Sequence, residues 1–170
     1  MCGALKVAIG AGATGMWDAV WVISREVMPV WLGPGRRALL LITDGVDNCS
    51  KHTLSEAIER TKRSHVAVYT VGLLSRYGGE KAEESLLRIA EASGGRAFFP
   101  SNVEEARTDM ERVARDLREQ YTLGYFPSNP SHNGGWRSIR VDVIPPVGPR
   151  GPVKLTANYR HGYYGPGDSN

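Results

Sequence analysis

Arg37-Ala38-Leu39-Leu40-Leu41-Ile42-Thr43 runs almost unbroken through apolar side chains and stops at Asp44-Gly45. A short, continuous hydrophobic run of this kind suits a parallel strand covered on both faces. Asp-Gly is turn chemistry, so the strand ends there. Asp44 then stands at the carboxyl end of a strand, where open α/β sheets hold their ligands. The turn Thr43-Asp44-Gly45 is therefore the expected functional edge.

Outward from this strand, helical and extended patterns alternate. Upstream, Trp17, Val20, Trp21 and Ser24 to Met28 repeat at helical spacing, which predicts a helix over roughly 16–28 closed by Pro29. Downstream, Thr53 and Glu56 form a capping box that opens a helix to Arg63. His65 to Gly72 reads as the next strand, and 82–92 as a helix ended by Ser93-Gly94-Gly95. Arg96 to Phe99 is a short strand. Asn102 caps a long helix with Val103, Ala106, Met110, Val113 and Leu117 on one face. The βα alternation implies a Rossmann-like, three-layer parallel sheet with helices on both faces.

After Gln120 the pattern changes. Tyr121 to Phe126, Arg137 to Ile144 and Val153 to Tyr159 alternate apolar with polar residues between Pro/Gly/Asn/Ser loops. They read as three antiparallel strands. The expected organisation is an α/β domain over 1–120, a β-rich extension over 121–164 and a disordered tail over 165–170.

The bulk properties exclude several classes. A net charge of +3, with basic residues scattered, does not make a phosphate-tracking surface, so no nucleic-acid partner is expected. No apolar run reaches bilayer length. Cys2 and Cys49 lack the spacing of a zinc site or a disulfide framework, though one bridge between them stays open. Signal-peptide features are missing from the start of the chain.

Oxygen donors gather around Asp44. Thr14 stands at the start of the preceding helix, and Asp47, Asn48 and Ser50 follow in the next loop. A carboxylate, a hydroxyl and an amide suit Mg²⁺ or another hard divalent cation, not zinc or copper. Gly10-Ala11-Gly12-Ala13-Thr14-Gly15 matches G-x-G-x-x-G and offers a dinucleotide-binding alternative. The acidic residue such a site needs about 20 residues on is missing. His52, His65, His132 and His161 are not spaced to serve a nucleophile, and nucleophile-elbow and P-loop motifs are lacking. The sequence makes no case for an enzyme.

In this order the pieces resemble the von Willebrand factor type A (VWA) domain. The segments that carry the likeness are Gly12 to Val20, Arg37 to Asn48, Val66 to Gly72 and Leu87 to Arg96. Leu117 to Tyr125 and Arg160 to Tyr164 look like a bacterial subgroup described as acidobacterial VWFA-related proteins. The resemblance implies a metal-ion-dependent adhesion site for cation-assisted protein–protein interaction, with Thr14 and Asp44 as ligands and an exported or cell-envelope location. The family's Asp-x-Ser-x-Ser ligand segment does not occur in this chain. The expectation is an N-terminally truncated domain with an incomplete site, weak or lost Mg²⁺ binding, and an unpaired Leu39–Thr43 edge able to self-associate. A degenerate structural fragment without ligand is the alternative this departure raises.

Overall fold

The computed structural model describes residues 14–27, 37–73, 79–129, 133–148, 151–152, 155 and 157–167. The first four glycine-motif residues, 10–13, lie outside these, as do Cys2, Pro29, His132 and residues 168–170.

The central layer is a parallel sheet of β1 (Arg37–Thr43), β2 (Val66–Gly72) and β3 (Ala97–Phe98), in that order. β1 and β2 pair along their full length, from Arg37 opposite Val66 to Thr43 opposite Gly72. One face carries Leu39, Leu41, Val66 and Val68 against α1 (Met16–Val22), α2 (Leu54–Ser64) and α3 (Gly79–Ser93). Met16, Val20, Ala57, Leu86 and Ile89 close this core almost completely from water. The other face carries Tyr69, Val71 and Phe98 beneath Met110 and Val113 of α4 (Val103–Arg118). The three layers follow from strands that are apolar on both faces and helices that are apolar on one.

β1 departs from the expectation of cover on both faces. Leu39 and Leu41 are packed, but Leu40 is 42% and Ile42 54% exposed. Among the described residues β1 pairs with β2 alone and stands at the edge of the sheet. On this face Ala38 packs against the cluster under α4, while Leu40 and Ile42 stay open to solvent. Val103 and Leu117, expected on the buried face of α4, are exposed near its two ends.

The helix boundaries follow local chemistry. Thr53 Oγ1 accepts from Glu56 N–H while the Glu56 carboxylate accepts from Thr53 N–H, completing the capping box. The upstream helix runs as α-helix only to Val22 and continues as a π-helix over Ile23–Val27. His65, expected to open β2, instead closes α2 in the left-handed conformation. α3 ends in a Schellman turn: Gly94 N–H donates to Glu91 and Gly95 N–H to Ala90. A side chain at Gly95 would lie 2.0 Å from the Val68 carbonyl oxygen, so only glycine lets β2 pass this turn.

The extension forms less sheet than its alternation predicts. β4 (Trp136–Ser138) pairs antiparallel with β7 (Gly162–Tyr164), and β5 (Val147–Gly148) with β6 (Gly151–Pro152). Residues 121–126 form no strand, and Tyr121 and Phe126 are almost fully exposed. Residues 139–146 are likewise outside any strand, and Val153 to Tyr159 shows none among its described residues. Alternation prepares a strand but does not supply a partner, and Pro145-Pro146 removes two ladder donors. At the end of the chain, Gly165 N–H donates to Gly135 and Gly134 N–H to Pro166. The β4–β7 pair is held to α2. Tyr164 hydroxyl donates to Glu59 at 2.5 Å, Arg63 lies 4.0 Å over the Tyr164 ring, and Lys62 lies 4.9 Å over Trp136.

Candidate functional site

β1 delivers Thr43-Asp44-Gly45 to the carboxyl edge of the sheet. Thr43 Oγ1 accepts from Gly45 N–H at 3.1 Å, and Asp44 Oδ1 accepts from Val46 N–H at 3.2 Å. These two short bonds tighten the turn, and Gly45 takes the positive φ of 84° it requires. Asp44 itself remains exposed.

The loop after this turn folds over the start of α1. Asn48 Oδ1 accepts from Thr14 N–H at 2.7 Å, and the Thr14 carbonyl accepts from Asn48 and Cys49 N–H. Asp47 Oδ2 accepts from Trp17 N–H at 3.1 Å, and Ser50 Oγ accepts from Asp18 N–H at 3.1 Å. Gly15, at the cap position, has no side chain to offer the first turn. The loop supplies those caps from thirty or more residues away, and Asp47 adds a carboxylate where the helix dipole favours one. Asp47 Oδ1 also accepts from Cys49 and Ser50 N–H, so both of its oxygens are engaged.

A second clasp uses the Asp18 side chain in the same first turn of α1. Asp18 accepts from the backbone N–H groups of Lys51 and His52, and from His52 Nδ1 at 2.6 Å. The Lys51 and His52 amides, then the imidazole, hold the Asp18 carboxyl down at about 2. The His52 ring stacks on Trp21 at 4.3 Å, and Arg25 lies over the same indole at 4.9 Å. From the sequence, His52 is one of four histidines without catalytic spacing, and Asp18 has no role. No local spacing links residues 18 and 52; only the loop's return onto α1 brings them together.

Thr14 and Asn48 are thus brought together, Asp47 is drawn to the helix start, and Asp44 bonds within its own turn. Among the described residues no group of three or more His, Cys, Asp or Glu is placed to hold a metal ion. Asp47 and the Asn48 carboxamide oxygen, expected as supporting donors, already serve backbone amides. The Thr14, Trp17 and Asp18 amides at the helix start donate to the chain's own Asn48, Asp47 and Ser50.

Residues 33–115 match the family model of the von Willebrand factor type A domain. Over that segment, just under half of its length, the chain is similar to the VWA family. VWA domains typically bind a divalent cation and mediate protein interactions, serving as interaction modules more than as enzymes. No curated protein matches the chain. A solved structure titled as an uncharacterized membrane spanning protein from Vibrio fischeri is similar at 22% identity, with a TM-score of 0.44. The match covers 51% of this chain and 48% of that one, so the chain spans about half the length of that structure. In this chain no described helix is long and apolar enough to cross a membrane.

Proposed function

We propose that this VWA-type chain is a protein-binding module whose recognition edge is the loop from Asp44 to Lys51. The observation that carries the reading is the double clasp of that loop onto α1, through Asp47 and Asn48 at one end and Asp18 at the other. A loop fixed at both ends loses little further entropy when a partner docks, which is how preorganisation raises affinity. It exposes a carboxylate (Asp44), an apolar side chain (Val46), an amide (Asn48) and a cation (Lys51) along one edge.

A divalent cation would meet Asp44 and the Thr14 hydroxyl there, with water filling the other positions. Such a thin donor set supports binding only on the order of 1 mM. The engaged donors also favour a second reading, in which the edge recognises its partner with no metal. Calorimetric titration with Mg²⁺ tests both. The expected result is a dissociation constant near or above the millimolar range. Micromolar affinity that disappears in Asp44→Ala would overturn the incomplete-site reading.

A further inference from the structure

At the opposite pole of the sheet, residues 158–161 run across the amino ends of β2 and β3. Gly94 takes a φ of +83°, and a side chain there would lie 2.8 Å from the Arg160 backbone nitrogen. The Asn158 carboxamide oxygen, in the orientation that satisfies both groups, accepts from Arg96 Nε at 2.8 Å and Nη2 at 3.1 Å. The third contact is different in kind: the Arg160 guanidinium meets His65 Nδ1. Arginine can only donate, so Nδ1 must be an acceptor and the ring neutral, with its proton on Nε2. The His65 backbone is held in the left-handed cap of α2 by its own N–H bonds to the Thr61 and Lys62 carbonyls.

We propose that His65 is a pH-sensitive latch: a proton on Nδ1 removes the acceptor that holds Arg160 and frees residues 158–161 from the sheet. The charged groups acting on His65 are all cationic. Arg160 approaches from the C-terminal segment and Arg37 from the start of β1, while Lys62 and Arg63 flank it in the last turn of α2. Burial, followed by Arg160 and Arg37, lowers the His65 pKa from its ordinary 6.5. The sign follows. The docked form binds fewer protons, so docking is fully stabilised above pH 6.5 and is lost as pH falls through the lowered value. The release is local, since Tyr164 still bonds Glu59 and the Ile139 amide still donates to His161 within the β4–β7 pairing.

Amide chemical shifts followed from about pH 7.5 down to about pH 4.5 test this directly. The latch predicts that Gly94, Arg160 and Gly162 move together with one midpoint below 6.5. His65→Asn keeps an acceptor and tolerates the left-handed conformation but does not titrate there, so its transition should vanish. Arg160→Met should raise the His65 midpoint and uncouple it from Gly94, and this holds the proposal to account if the first variant does not fold. A transition that persists in His65→Asn, or a wild-type midpoint at or above 6.5, would overturn it.

Discussion

Asp47 illustrates how one side chain can organise an edge. Its carboxylate collects the Trp17, Cys49 and Ser50 amides, so Asp47→Ala leaves three backbone donors without their partner. Urea unfolding should register a loss of about 1–3 kcal/mol, the cost of unmet polar groups and a lost helix cap. Asp18 acts beside it with a distinct pH signature. Its folded carboxyl sits at about 2 against an ordinary 3.8. The stability it contributes is present above 3.8 and disappears as pH falls through about 2. Asp18→Asn should therefore flatten the acid limb of the stability profile in that window, while an unchanged limb would deny the clasp. The sequence made Asp44 visible because a strand end is a local signal. It hid the use of Asp47 and Asn48 as remote caps, because Gly15 looks like an ordinary loop glycine and its missing cap is supplied through tertiary structure.

Among the elements, β1 is the one whose environment the sequence misstated. Its residue types specify a strand, but whether both faces are covered depends on tertiary packing. Ile89→Ala, in the closed core, should cost about 2–5 kcal/mol. Ile42→Ala, on the open face of β1, should cost far less, and equal losses by chemical denaturation would show that Ile42 is buried after all. Helix ends were easier to read, since capping boxes and Ser-Gly-Gly turns are short-range chemistry. The extension was harder. Its alternating segments announced strands, yet among the described residues of the three only Arg137 and Ser138 join a ladder, that of β4 to β7, through a Gly162 that clears space for the Trp136 ring. Gly162→Val should break that ladder and expose Trp136, seen as a red shift of its fluorescence; no shift would mean the ring is placed otherwise.

At the scale of the whole molecule, two poles have separate tasks. The amino ends of β2 and β3 are clasped by the C-terminal segment, and the carboxyl end of β1 carries the held loop. Between them lies the open β1 edge with Leu40 and Ile42. Pairing of that edge with a second copy is testable by sedimentation: self-association, where present, should fall in Ile42→Lys. The central claim concerns the other pole, that the Asp44 loop is a preformed protein-binding edge with only a thin cation site. Line broadening of backbone amides by added Mn²⁺ tests it most directly. The account predicts broadening confined to Thr14, Gly45 and Val46, arising only at millimolar metal and lost in Asp44→Ala. Broadening centred elsewhere, or saturating at micromolar Mn²⁺, would contradict it.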